Sequence, residues 1–455
     1  MTERKPLNKK RVQFSPTQII ALVFVGIIML GTLLLMLPFA SRDGHSPDLL
    51  SALFTATSAT CVTGLVMFDT WSQWSGFGQI VIICLIEIGG LGFMSAASFV
   101  IFVLRKRVGL RQRMVMAQAL SVNDMAAVVR LQKIVIIGSL LVQLTGALIL
   151  IAHFWPQYGF GQALKWGFFH SVSAFCNAGF DIFGCLQPGS SLMMFQSDPV
   201  VLMTLGTLVT IGGLGFFVWE EVIRVHSWKR FSVYTKLVLL MSGILTLGGA
   251  VAICLLEWDN PNTLGALAWH DKIWGGLFQS ITVRTAGFDA IGQGAMTDSG
   301  KVVSMLLMLV GGSSGSTAGG IKTVTVVVLF LFLWSRIRHK GSVCVFKHTI
   351  PGSLVLDAVT VVSIIAGLSV LGGLVICVTS PEVHFVDGLY EAVSALATVG
   401  LTTGITAGLS AIAKIMLIIF MYFGRVGVLT LSLGFLMGNQ AQERFRYANT
   451  NLLIG

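Results

Sequence analysis

Three groups of residues in this chain could do chemistry. The first is the stretch GGSSGSTAGGIKT, Gly311 to Thr323, nearly free of side chains and carrying a lysine at its end. Its second half approaches G-x-x-x-x-G-K-[ST], in which backbone amides and a lysine cradle a phosphate. It misses by one residue, because Ile321 separates Gly320 from Lys322. A phosphate cradle also needs a preceding strand in a parallel sheet, whereas MLLMLV precedes this stretch and VTVVVLFLFLW follows it. The second group is a short pattern met four times: SATCVTGL (58–65), SAFCNAGF (173–180), ITVRTAGF (281–288) and SALATVGL (394–401). Its aligned glycines, Gly64, Gly179, Gly287 and Gly400, lie 115, 108 and 113 residues apart. Glycine admits backbone conformations that other residues avoid, so such loops can turn carbonyl oxygens toward one axis and replace the hydration shell of an ion. The third group is ionisable side chains in apolar surroundings: Glu87, His170, Arg284, Lys322, Glu391 and Arg425.

The elements that must position these residues are membrane elements. The 455 residues are 55% hydrophobic and 11% charged, with a mean hydropathy of +0.84, far from the roughly one-quarter charged composition of soluble domains. Each glycine pattern ends a run of about a dozen half-polar residues, too short for the ~20 residues that span a bilayer: DLLSALFTATSA, ALKWGFFHSVSA, KIWGGLFQSIT and FVDGLYEAVSA. A long apolar run precedes each, at 18–37, 134–154, 238–257 and 359–379, and another follows, at 79–104, 199–219, 302–335 and 412–437. Each unit therefore reads as span, short re-entrant pore helix, glycine loop, span. The expected fold is an all-α integral membrane protein of four tandem repeats, eight spans in all, with pseudo-fourfold symmetry around one pore. A second motif recurs in the following spans: IGGLGF (88–93), IGGLGF (211–216), VGGSSG (310–315) and FGRVGV (423–428). Glycine there permits close helix approach or a bend.

Charge sets the orientation. Arg105, Lys106, Arg107, Arg111, Arg113, Arg130 and Lys133 crowd one loop, and Arg224, Lys229, Arg230, Lys236, Arg336, Arg338, Lys340 and Lys347 lie in loops on the same side. The opposite loops hold only Arg42, Lys165, Lys272, Arg284 and Lys301. Basic loops remain cytoplasmic, so both termini are expected inside, in the cell (inner, plasma) membrane, and the short helices near the outer face. The same argument accounts for the net charge of +10 without nucleic acid. The seven cysteines form no C-x-x-C pair, which gives no metal or disulfide framework. No acid, base and nucleophile converge, so catalysis is not expected.

The loops, the RTAGF of the third unit and the long glycine insertion before Ile321-Lys322 resemble the Trk/Ktr/HKT superfamily of potassium transporters over roughly residues 15–440, and within it the KtrB-type membrane subunits of Ktr systems. Thr398-Val399-Gly400 is similar to the TVG of potassium channels. The resemblance implies that potassium, with sodium as a second ion, is held by a selectivity filter made of Cys61, Val62, Thr63, Gly64, Cys176, Asn177, Ala178, Gly179, Arg284, Thr285, Ala286, Gly287, Ala397, Thr398, Val399 and Gly400. The four glycines are its metal-ion positions. Sodium-favouring plant relatives have serine in the first loop; Gly64 here implies potassium. The family also implies sodium-dependent uptake, a homodimer with one pore per protomer, and a cytoplasmic ring of KtrA-type nucleotide-binding subunits. Nucleotide is expected on that partner only, and no covalent cofactor on this chain. The basic loops and the tail QERFRYANTNLLIG are surfaces for that partner or for membrane lipid.

Repeat alignment gives the glycine insertion its own reading. From the double glycine to the basic end of the span there are 16 residues in unit one (Gly89 to Arg105) but 25 in unit three (Gly311 to Arg336). The nine or so extra residues would lengthen a helix by roughly 14 Å, too much for a ~30 Å core. They are expected to loop out into a watery cavity below the filter, where the resemblance implies a gate. The expected gate residues are Gly311, Gly312, Ser313, Ser314, Gly315, Ser316, Thr317, Ala318, Gly319, Gly320, Lys322 and Arg425. Arg425 lies mid-span, where a charge is costly, and is expected to hold the loop through its carbonyls. Arg284 is expected to point away from the axis. For His170 and Glu391 an ion-mouth role and a loop anchor stand open, Glu220 and Glu221 are expected in solvent, and Glu87 has no assigned role. The resulting organisation is an N-terminus (1–17), repeat one (18–107), a linker (108–133), repeat two (134–230), repeat three (231–340) with its gate loop (311–322), a linker (341–358), repeat four (359–438) and a tail (439–455). A carrier with alternating access is the competing class, though such folds favour inverted repeats, while these four units share one orientation.

Overall fold

The computed structural model describes residues 16–92, 127–339 and 341–427. The expected terminal segments, most of the first basic loop and the continuation of the first and fourth units lie outside those residues. Among the described residues, four helices are long and apolar enough to cross a membrane: Gln18–Leu35, Gln132–Tyr158, Val233–Glu257 and Gly352–Thr379. Each is followed by a shorter helix, Leu49–Thr60, Phe160–Phe175, Trp269–Thr282 and Phe385–Leu396, that packs back against it. These are the half-polar runs of the sequence. They can lie buried because their polar residues are small or paired, such as Ser58, Ser173 and Ser394, all essentially inaccessible.

After each glycine loop a further helix, Gly76–Leu91, Pro199–Leu214, Asp298–Leu309 or Ala411–Val426, begins at a polar cap. Ser75, Asp198, Thr297 and Ser410 accept from amides two or three residues on, satisfying donors that open the first turn. It then ends early: at Leu91, Leu214, Leu309 and Val426. Within the described residues the apolar runs over 199–219 and 302–335 are interrupted, the second at the insertion that was expected to loop out. In units one, two and four the stop falls on the glycine at the fifth position of the repeated motif, with φ of +81° at Gly92, +92° at Gly215 and +92° at Gly427, a conformation costly for residues with a Cβ. In unit two a further helix, Phe216–Val225, continues at a bend of 92°. In unit three the chain leaves the helix at Val310 and resumes helical form at Thr323.

The helix packing closes on itself. The Gly76–Leu91 helix of unit one packs on the pore helix of unit two, Pro199–Leu214 on that of unit three, Asp298–Leu309 on that of unit four, and Ala411–Val426 on that of unit one. In units one, two and four the glycine at the second position of the motif lets this helix pack closely on its own unit's short helix. A methyl on Gly89, Gly212 or Gly424 would overlap the last carbonyls of that unit's own pore helix, at Thr60, Phe175 and Leu396. Between units three and four, the connection holds a small antiparallel hairpin, β1 (Cys344–Val345) with β2 (His348–Thr349). Glu221, expected in solvent, is partly exposed and accepts from the Ser232 amide and hydroxyl at 2.7 Å each and from the Thr235 hydroxyl. It ties the bent helix to the start of the next span.

Candidate functional site

The four glycine loops meet in the middle of the ring. Each pore helix ends in ordinary right-handed backbone at Cys61, Cys176, Val283 and Ala397. Two residues before each aligned glycine the chain turns left-handed, with φ of +56° at Val62, +61° at Asn177, +66° at Thr285 and +52° at Thr398. Three of these are β-branched, for which positive φ is strained by about 1–3 kcal/mol. That such strain recurs at one aligned position in all four loops marks a built site. Hydrogen bonds from the pore helix hold it. The amides of Thr63, Ala178 and Val399 donate to the carbonyls of Ser58, Ser173 and Ser394 at 2.8 Å, and that of Ala286 to Thr282 at 2.9 Å. Side chains assist: Ser58 and Ser394 hydroxyls accept from the Gly64 and Gly400 amides at 3.1 Å, while Ser173 and Thr282 hydroxyls donate to the Phe180 and Phe288 carbonyls. The serines opening three of the four repeated patterns therefore brace the loops, a task that the sequence displayed without revealing.

The aligned glycines themselves, at φ of +96°, +69°, +84° and +93°, lie against one another in order around the ring. A methyl on Gly64 would strike the Ala178 carbonyl, on Gly179 the Ala286 carbonyl, on Gly287 the Val399 carbonyl, and on Gly400 the Thr63 carbonyl. Each loop thus presents the carbonyl preceding its glycine to the glycine of a neighbour, with no side chain between. Such a ring can offer a small cation only backbone oxygen. Arg284 turns away from it. Its guanidinium reaches the Ser242 carbonyl and Thr246 hydroxyl of the third long span, both at 3.4 Å, beside a small cavity also lined by Asn177, Thr210 and Gly312.

The segment 311–322 lies directly beneath. Its two ends are bridged, Val310 with Ile321, and the Gly311 amide donates to the Ile321 carbonyl at 2.9 Å. Gly319 abuts the Thr398 side chain and Gly320 lies against Ala397, so only glycine fits under the fourth loop. On the other side, the Thr317 hydroxyl reaches the Phe175 carbonyl (3.2 Å) and the Asn177 side chain (2.9 Å). The break at Gly215 leaves carbonyls without helical partners, and this segment supplies them. Ser313 and Thr317 amides donate to Gly213 and Gly212 at 3.0 and 3.3 Å, and the Ser313 hydroxyl donates to Leu214. Arg425 donates to the carbonyls of Thr317, Gly89 and Gly90. It therefore joins the segment to the carbonyl end of the Gly76–Leu91 helix, where a cation is favourable. Lys322 bends back to the Ala318 carbonyl at 2.8 Å.

The remaining ionisable residues brace the loops. His170 is fully buried, joined to the Trp166 carbonyl at 2.8 Å and to the Ile182 amide at 3.2 Å, and stacked on Phe183. The structure thus gives it an anchoring position. Glu87, without a role in the sequence, accepts from Gln143 at 3.0 Å and from the Cys176 thiol at 3.2 Å, behind the second loop. Gln279, Gln293 and Tyr390 form a buried chain between the third and fourth pore helices, with Gln279 and Tyr390 donating to the Gln293 side-chain oxygen at 2.6 and 2.7 Å. The sequence offered no periodic signal for that chain, since its members come from different units and different offsets.

The family described as TrkH, cation transport protein, matches residues 4–445. The chain is 37% identical to Ktr system potassium uptake protein B of Bacillus subtilis, covering all of both chains. It is 36% identical to potassium/sodium uptake protein NtpJ of Enterococcus hirae, over 99% of this chain and all of that one. Its fold is similar to the crystal structure of the potassium transporter TrkH from Vibrio parahaemolyticus, with a TM-score of 0.72 and 18% identity, covering 94% of this chain and 86% of that one. The matched proteins are cation transporters, in keeping with the expectation that the chain is not an enzyme.

Proposed function

The chain belongs to the TrkH family of cation transport proteins, and from that premise we propose that it is the ion-translocating subunit of a potassium uptake system. The observation that carries this reading is the closed order of the four glycine loops, each carbonyl facing the preceding unit's glycine. Four units related by pseudo-fourfold symmetry, with eight crossings in all, surround a single path. The carbonyls of residues 61–64, 176–179, 284–287 and 397–400 coordinate potassium in place of water. The segment 311–320 closes the path below them, and Arg425 latches it. The contact of Gly319 with Thr398 and of Thr317 with Asn177 supports that reading, because a segment touching two of the loops from beneath leaves little room to pass.

The similarity to Ktr subunits supports a homodimer worked by a separate nucleotide-binding cytoplasmic ring, uptake that depends on sodium, and both termini inside. The test is growth of a potassium-uptake-deficient bacterium on low potassium, with and without a Ktr-type soluble partner. Rescue is expected with the partner, and Gly64→Ser is expected to admit sodium. Absence of rescue by a well-expressed protein with its partner refutes the potassium assignment.

A further inference from the structure

The fourth pore helix carries a carboxyl group that its surroundings leave half satisfied. Glu391 stands nine residues before Gly400, and His170 stands nine before Gly179, so both fill one slot in two different units. Both reach the segment leaving the glycine loop. His170 has a hydrogen-bond partner at each ring nitrogen. Glu391 does not match it. Its Oε1 accepts from the hydroxyls of Thr402 and Thr406, the latter at 3.1 Å, and the two hydroxyls lie 2.8 Å apart. Its Oε2 is buried without a hydrogen-bond partner, and so is the hydroxyl of Thr403. The Thr403 amide approaches the carboxyl group but makes no well-formed bond with it.

Nearby charges do not neutralise this group. Asp387, one turn earlier on the same helix, is paired with Lys301 at 2.8 Å, and Lys414 donates to the Ala407 carbonyl. Among the described residues no basic side chain pairs with Glu391. A carboxylate removed from water without a counter-charge is strongly disfavoured. We propose that Glu391, Thr402, Thr403 and Thr406 bind a small hard monovalent cation, of the sodium class, behind the fourth glycine loop. One formal charge with several neutral oxygens suits a monovalent ion, whereas divalent sites gather more carboxylates. No group of three or more His, Cys, Asp or Glu that could hold a metal lies among the described residues. Thr402 and Thr403 are half-buried and Gly404 is exposed, so the ion enters from the loop surface and not from the axis. Once bound, it ties the 402–406 segment to the pore helix and so stiffens the backbone that begins at Val399. This consequence rests on the transport reading given above; the binding itself does not.

The test is a sodium titration of the purified full-length protein, read by melting temperature. Potassium is held saturating so that the glycine loops are filled, and choline keeps ionic strength constant. The wild type is expected to show a saturable rise in melting temperature with sodium. Glu391→Gln is expected to move the midpoint by about tenfold or more, since ligand charge sets affinity at oxygen sites. Thr403→Val is expected to move it in the same direction by less, and decides the matter if Glu391→Gln does not fold. Two results overturn the proposal: no sodium response in the wild type, or a wild-type response in Glu391→Gln, which would mean that a proton neutralises the carboxyl group. A normal sodium titration from a protein that moves no potassium upholds the site and refutes the transport reading instead.

Discussion

Replacing Arg425 by alanine isolates the latch from the rest of the path. The guanidinium makes three hydrogen bonds to carbonyls, two on the Gly76–Leu91 helix and one, to Thr317, on the segment beneath the loops. Of these three, only the Thr317 bond has to break for the segment to withdraw. Hydrogen bonds to charged groups contribute about 1.5–3 kcal/mol each, so losing this one favours withdrawal by roughly 10- to 150-fold at equilibrium. The two bonds to Gly89 and Gly90 cap a helix end in either state and largely cancel from that ratio. The assay is rubidium uptake into proteoliposomes holding this chain without a cytoplasmic partner, where the closed state dominates the wild type. Arg425→Ala is expected to raise basal flux at least tenfold, approaching the deletion of 313–318. Arg425→Lys is expected to fall between, because a single ammonium cannot span carbonyls on two elements as a guanidinium does. Unchanged basal flux in both Arg425→Ala and the deletion, with each variant folded and reconstituted at wild-type density, refutes the gate.

Three further outcomes follow from the same geometry. Gly400→Ala combines a φ of +93° with overlap of the Thr63 carbonyl, a strain of at least about 1–2 kcal/mol, and is expected to abolish selective uptake; Gly26→Ala, which meets nothing within 4 Å, is expected to leave uptake intact, and equal effects would remove the packing argument. In the second unit's double glycine, Gly212→Ala is expected to lose uptake by striking the Phe175 carbonyl, while Gly213→Ala, nearest only to Asn177 at 3.8 Å, retains it. In the non-helical segment that follows the second unit's glycine, burial and the neighbouring charges of Asp69 and Asp289 push the Asp181 carboxyl up to about 7, so its folded state favours the protonated form. Stability then falls as pH rises from the ordinary aspartate range through 7, and Asp181→Asn is expected to raise the melting temperature at pH 8 but not at pH 4; the reverse order would refute that assignment of cause.

The repeated skeleton was legible because physics forces it to recur. A pore helix shorter than a bilayer, a glycine with positive φ and a hydroxyl braced on the loop must appear in every unit, so alignment of four internal copies reveals them. The third-unit insertion was legible as a length anomaly for the same reason. What alignment could not show are contacts that cross between units. The Gln279–Gln293–Tyr390 chain, the Glu87–Cys176 bond and the attachment of Thr317 to Asn177 each join residues of different offset. The repeated motif left close approach and a bend both open at these glycines; the positive φ at Gly92, Gly215 and Gly427 is a backbone property that hydropathy does not carry.

The break and the insertion are one device seen from two sides. Ending the second unit's helix at Leu214 leaves carbonyls unpaired at membrane depth, where unpaired backbone is costly. The third unit's insertion satisfies them through Ser313 and Thr317, and the first unit's helix end is satisfied by Arg425 of the fourth. On the proposed gate, the segment withdraws only if water or another donor reaches Gly212, Gly213 and Leu214 at the same moment, so that opening the path and wetting the break in the second unit are a single event. A substitution that caps the break permanently, with no direct contact to the axis, should open the path as effectively as loss of Arg425.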